Sequence, residues 1–404
     1  MQPNKLIQEP SATALKYRIQ SVDILRGIIM IIMALDHVRD FFHIHGMDGD
    51  PTDMATTTPL LFFTRWVTHF CAPTFVFLSG ISAYLSGLKK TKAELRSFLI
   101  KRGLWLILVE MVVVTFGITF NPFYNIIILQ VIWAIGLSMI ILGLFVGTSP
   151  LVILITGAVI FLGHNIFDYV KVSDTTTAGK LFQLLVVGPR GVFPISSNRM
   201  FLVFYTAIPW TGVMLLGYSA GRIFNKTVDS ARRQRLLTVI GLTTVAAFII
   251  LRLLNSYGDP APWSTQKDNI TTFLSFLNTT KYPPSIVFSC MTIGPSILLL
   301  AFFEKRRSKL TDIFTVYGKV PFFYYIIHFY SIHVLCMIVF FASGHRFKEA
   351  VDPNSFAVFR PFHFGFELPV VYLIWIGLVV LLYKPCKRFS KYRATHSQWW
   401  LSYL

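Results

Sequence analysis

Ten apolar runs, each near the length needed to cross a lipid bilayer, leave this chain few folds to adopt. They fall near 23–44, 61–87, 98–120, 125–146, 150–168, 200–221, 236–254, 284–303, 320–342 and 366–384. A helix needs about 20 residues to cross the hydrocarbon core. Backbone exposed to lipid must satisfy its own hydrogen bonds, which favours helices. Only 14% of the 404 residues are charged, against about 25% in an average soluble domain. The expected fold is therefore all-α: a polytopic membrane bundle of about ten transmembrane helices. A single transmembrane domain over 21–385 is expected between a tail at 1–20 and a basic tail at 386–404.

The net charge of +18 is explained by where the basic residues fall. The N-terminal tail, the loops after the second, sixth and eighth runs and the C-terminal tail hold 24 lysines and arginines; the alternate loops, although longer, hold 11. Short basic loops mark the cytoplasmic side, so both termini are expected there. The charge reads as topology, with no nucleic-acid partner implied. The first twenty residues are polar and lack the apolar core of a cleavable signal. Cys71, Cys290, Cys336 and Cys386 are scattered through apolar runs. Their spacing suggests neither a disulfide framework nor a metal site. The outward loops, about 45–60, 169–199, 255–283 and 343–365, are rich in Thr, Asn, Asp, Pro and aromatic residues, which suits a polar or carbohydrate partner. Within 169–199, the run LFQLLVV is too short to span and is expected at the interface.

The first run, Asp23 to His45, carries the densest ionisable groups. Arg26 and His37 are eleven positions apart, nearly three turns, so they share one helix face about 16 Å apart along the axis. Asp36, His37, Arg39, Asp40, His43 and His45 crowd its outer end. Ionisable groups inside a span are costly and point to function. A histidine titrates near neutrality and can take a proton from an attacking amine or hydroxyl. Adjacent helix residues diverge by about 100°, so Asp36 either orients His37 or serves another partner. By topology His69, Asn165, Lys281 and Tyr282 reach the same outer level, as candidates to bind substrate. Plainer readings exist: His69 as a donor to a nearby carbonyl, His328 and His333 as structural hydrogen-bonders, and Glu110 paired with Arg102.

These residues also carry a resemblance. SVDILRGIIMIIMALDHVRDFF followed by APTFVFLSGISAYLSG resembles the catalytic-domain family of heparan-α-glucosaminide N-acetyltransferase, its bacterial branch above all. The segments IPWTGVMLLGY, FLNTTKYPPSIVF, GKVPFFYYIIHFYSIH and WWLSYL extend the match over most of the chain. More distantly, Arg26 and His37 with ten residues between them are similar to the Arg-then-His signature of membrane O-acyltransferases that modify surface glycans. The resemblance implies His37 as catalytic base and Arg26 on the donor side, holding acetyl-CoA. In the lysosomal branch an asparagine stands in place of His37 and the catalytic histidine lies further along. Here that first outward loop offers His45 and His43.

The implied function is an acetyl-CoA-dependent membrane acyltransferase. It would move an acetyl group from cytoplasmic acetyl-CoA, without a metal, to an amine or hydroxyl of a glycan or amino sugar outside. The expected location is a bacterial inner membrane, spanned many times, with lipid as neighbour and a homodimer compatible with the reading. A transporter or flippase for a sugar-linked substrate is the alternative. It accounts for buried charge but not for the Arg26–His37 register beside FVFLSG.

Overall fold

The computed structural model describes residues 19–47, 49–170, 176–187 and 191–402; the expected tail at 1–20 lies almost wholly outside them. The helices, in chain order, are α1 (Gln20–Phe42), α2 (Pro59–Thr68), α3 (Cys71–Gly87), α4 (Lys92–Val109), α5 (Thr115–Thr119), α6 (Val131–Phe145), α7 (Pro150–Gly163) and α8 (Thr177–Phe182). They continue as α9 (Ala207–Ala220), α10 (Ser230–Leu254), α11 (Asn269–Leu277), α12 (Ile286–Phe303), α13 (Lys309–Lys319), α14 (Pro321–Ala342) and α15 (Leu368–Thr395). The fold is an all-α helical membrane bundle. Each apolar run contains helix, and among the described residues six helical stretches are long and apolar enough to cross a membrane, against the ten expected. α1 is not among the six, because Asp23, Arg26, Asp36, Arg39 and Asp40 give it more charge than a lipid-facing helix carries.

Local chemistry sets the element ends. Thr58, Ser285 and Asp229 accept from backbone N–H groups in the first turns of α2, α12 and α10, which meets donors that a helix start leaves bare. The run 61–87 breaks between α2 and α3 at His69–Phe70. Pro73 is the cause: it has no N–H for the carbonyl four residues back, that of His69, and its ring crowds it. α15 runs on past the expected boundary at 385 to Thr395, because the basic residues beyond are good helix formers.

Two apolar runs are not helical throughout. Ile126–Leu129 forms strand β1, and Gly191–Ser196 and Arg199–Val203 form β2 and β3, in the order β1-β3-β2. β1 pairs β3 in parallel, Leu129 opposite Val203, and β2 pairs β3 antiparallel. A short β-branched run such as Ile126–Ile128 reads alike as strand or buried helix, which is why the sequence reading missed the sheet. The pairing continues one residue past the strands, with the Phe204 N–H donating to the Leu129 carbonyl at 3.0 Å, and so brings the chain just after each strand, Gln130 and Tyr205, to the same end of the sheet.

The helices pack through small residues. A Cβ on Gly27 of α1 would lie 1.8 Å from the Phe314 carbonyl oxygen of α13, and one on Gly318 equally close to that of Asp23. Close backbone approach through small residues is how helices associate where lipid removes the hydrophobic drive. This contact holds the N-terminal end of α1 against α13.

Candidate active site

α1 is buried along most of its length and presents two polar levels. At the inner level the Arg26 guanidinium donates to Asp23 Oδ1 (3.1 Å), the Gly318 carbonyl (3.2 Å) and Ser82 Oγ (2.8 Å). Nearby, Ser21 Oγ donates to Glu304 at 3.0 Å, and Arg233 pairs with the same carboxylate at 2.6 Å. Arg26 thus joins α1, α3 and α13 at the end expected to face the cytoplasm.

At the other level a small cavity opens beside α1, lined by Asp36, His37, Gln130, Tyr205, Lys281 and Tyr325 among others, with a volume of about 30 Å³. That is room for about two waters, or for a reacting group of similar size. Six separate parts of the chain converge here: α1, the α2–α3 break, the end of β1, the end of β3, the loop before α12, and α14.

Asp36 is held by two arginines. Arg39 Nη2 donates to Asp36 Oδ1 at 3.2 Å and to Asp40 at 2.5 Å, while Arg65 of α2 binds Asp36 Oδ2. Both carboxylate oxygens are therefore committed to guanidinium groups, and the second partner allowed by the 100° divergence is Arg65. His37 turns the other way. Its Nδ1 lies 2.7 Å from Nε2 of His328, and its ring stacks on Phe329 with centroids 4.3 Å apart. His328 in turn reaches the Tyr324 carbonyl through Nδ1 at 3.1 Å.

Lys281 is buried, 8% exposed, on the cavity wall. Its ammonium sits over the Tyr282 ring, 5.3 Å from the centroid. The loop that carries it is fixed at both ends. Arg252 donates to the carbonyls of Phe276, Ala261 and Ser275, each at 2.9 Å, and to that of Asn278 at 2.5 Å. Asp259 accepts from Thr280 N–H (3.0 Å), Thr280 Oγ1 (2.7 Å) and Ser285 Oγ (2.9 Å). Tyr282 packs edge-on against Tyr205 at 5.4 Å. Around Lys281 the charges of Arg39, Arg65, Asp36 and Asp40 cancel, leaving a net positive site. Burying a charge is costly unless something compensates it, so the place where Lys281 lies favours an anion or developing negative charge.

The remaining candidates sit outside the cavity wall. His69, at the helix break, is buried with its ring against Phe288 at 5.5 Å, and its Nδ1 has no hydrogen bond among the described residues. The Asn165 side chain donates to Asp168 (2.6 Å) and accepts from the Ile286 N–H (2.9 Å), so it caps α12. His164 beside it binds the Pro284 carbonyl at 2.7 Å. His43 and His45 follow α1 with rings 5.9 Å apart, and His45 lies 6.1 Å from His363. Burial, then the Arg39 charge, pushes the His43 imidazole below its ordinary value.

Sequence reasoning missed Arg65 and Tyr325, and read His328 only as a structural hydrogen-bonder. Arg65 gave a usable signal, an arginine inside an otherwise apolar run. Glu110 also finds another partner than Arg102. Its Oε1 accepts from the Gln130 N–H at 2.9 Å, and it opens a π-helical turn, Glu110–Val114, a distortion frequent at functional sites.

The profile of the family described as heparan-alpha-glucosaminide N-acetyltransferase, catalytic, matches residues 18–252. That is more than half of the 404 residues and takes in Arg26, Asp36, His37, Arg65 and Gln130. The chain belongs to this family. It is thereby an integral membrane protein of an acetyltransferase family. No curated protein matches it. The family's matched region ends at the last turns of α10, so Lys281, Tyr325 and His328 are contributed by the part of the chain beyond it.

Proposed function

We propose that this protein is a transmembrane acyltransferase that takes an acetyl group from cytoplasmic acetyl-CoA. The group passes to an amine or hydroxyl of a glycan or amino sugar on the outer side. The observation that carries the reading is one cavity in a member of an acetyltransferase family, lined by both His37 and Lys281. In this reading α1 spans the membrane among about ten helices, with both termini in the cytoplasm, in the inner membrane of a bacterium.

The chemistry follows from the two groups. The acceptor N–H or O–H meets His37, which takes the proton as the nucleophile attacks the thioester carbonyl. Lys281 stabilises the oxyanion that forms there, as a fixed charge in a site shielded from water does best. The tetrahedral adduct then expels the CoA thiolate as the C–S bond breaks, and the thiolate receives the proton from His37. Arg26, about 16 Å inward along α1, supports the donor's phosphate end. With about 30 Å³ open at the outer level, the cavity takes the reacting group alone. The pantetheine arm is admitted by helix displacement, a gating step common in enzymes that sequester their chemistry. His45 and His43 stand behind His37 as bases, and His69, Asn165 and Tyr282 as second-line substrate contacts.

The test uses purified protein in detergent with acetyl-CoA and a panel of amino sugars, following release of free CoA. Acceptor-dependent release that falls by about 10²–10⁴-fold in His37→Ala is the expected result. Release that survives in His37→Ala and disappears in His45→Ala would move the base to the loop.

A further inference from the structure

We infer that His328 is the positioning residue of His37: it accepts the His37 Nδ1 proton and so keeps Nε2 bare for the acceptor's proton. The inference rests on the acyl-transfer reading above and adds a residue that lies beyond the family match. Its argument is one of hydrogen-bond roles. A backbone carbonyl can only accept, so His328 Nδ1, 3.1 Å from the Tyr324 carbonyl, carries its ring's proton. In a neutral imidazole the other nitrogen is then an acceptor. His328 Nε2 is therefore the acceptor in the 2.7 Å contact with His37 Nδ1, and His37 Nδ1 is the donor. The remaining nitrogen of His37, Nε2, holds a lone pair.

The usual orienting group for such a base is a carboxylate, and the nearest one is already used. Both oxygens of Asp36 are bound by Arg39 and Arg65. The two histidines instead form a chain that runs from the cavity to the backbone of α14. His328 is fully buried and its ring lies parallel to that of Tyr324, 2° between planes. Phe329 stacks on His37 at 4.3 Å. Neither ring can turn without losing these contacts. When the acceptor's proton arrives at His37 Nε2, the imidazolium donates through Nδ1 to His328, which spreads the charge without receiving the proton. The same Nε2 proton then goes to the departing thiolate.

Two readouts test this. The first is the ¹⁵N spectrum of histidine-labelled protein at neutral pH, with the His37 resonances assigned by their loss in His37→Ala. We expect a protonated Nδ1 and a bare Nε2 in wild type, and loss of that preference in His328→Phe. A protonated Nε2 in wild type would overturn the inference whatever the activity. The second is kinetic. His328→Phe keeps the ring but removes the acceptor, and should lower kcat by about 100-fold with KM for acetyl-CoA within about twofold. His328→Gln, whose amide oxygen can accept from Nδ1, should restore at least a tenth of wild-type kcat. Wild-type kcat in His328→Phe would refute the role. So would equal failure of both variants together with a lowered melting temperature, since His328 would then serve packing alone. Should wild type give the expected spectrum but no CoA release with any acceptor, the tautomer stands and the acyl-transfer reading falls.

Discussion

Lys281 and Arg65 are both buried cations within the reach of Asp36, yet the site uses them differently. Arg65 is bound to the Asp36 carboxylate, so removing it strands a buried charge. Truncating one partner of a buried pair costs about 3–5 kcal/mol, and Arg65→Leu should accordingly lower the melting temperature and abolish activity together. Lys281 has the Tyr282 ring below it and open cavity beside it. Lys281→Met, nearly equal in length, should leave the melting temperature close to wild type. It should cut kcat by about 10²–10³-fold, the cost of losing one oxyanion donor. Comparing the two variants by thermal denaturation and CoA release separates a structural cation from a catalytic one. At this scale the sequence was partly legible. His37 and Asp36 stood out because charge in an apolar run is costly and demands a reason, and Lys281 because the alternation of loops brings the entry to the eighth run to the same level. His328 could not be distinguished from His333, five residues on, because their partners lie elsewhere in the chain. His328 faces His37, 291 residues away in sequence, whereas His333 binds the carbonyls of Gly117 and Val358.

Elements reach the site through a few fixed junctions. Arg252 of α10 holds four carbonyls around α11 and the following turn, and that turn leads directly to Lys281. Arg252→Leu should loosen the 255–283 loop and lower kcat without touching the cavity wall, with amide exchange rising in the loop ahead of the bundle. A second junction follows α1, where the Ile44 N–H donates to the Phe366 carbonyl (3.0 Å) and the His45 N–H to His43 Nδ1 (3.3 Å). Because burial depresses His43, the unfolded or opened form binds a proton first as pH falls. Stability at this junction is complete above about pH 6.5, the ordinary histidine value, and declines below it. The Ile44 and His45 amides should exchange faster at pH 5.5 than opening in the rest of α1 accounts for, and His43→Gln should remove the difference. The element boundaries show why apolar length alone misled. The runs near 125 and 200 begin as strands, and their pairing is a contact between segments 74 residues apart, which no local periodicity reveals.

The molecule as a whole has two polar levels on one helix, joined by apolar packing. Arg26 anchors the level near the N-terminal end of α1, bound to Ser82 and Gly318, and His37 opens the level near its C-terminal end. The bundle was legible in the sequence because lipid imposes helix length and because basic loops alternate with others. The cavity was not, since it is made where β1, β3, α14 and the loop before α12 meet α1. The proposed reaction places donor and acceptor on opposite sides of the membrane, and this is the claim to test. The direct measurement uses sealed proteoliposomes of the full chain, loaded with acetyl-labelled acetyl-CoA at the face bearing the termini, with an amino-sugar acceptor at the other. The account predicts labelled acceptor outside in wild type and none above background in His37→Ala, with the vesicles still impermeable to acetyl-CoA. Labelled acceptor that forms only when donor and acceptor share one side, or forms equally in His37→Ala, would contradict it.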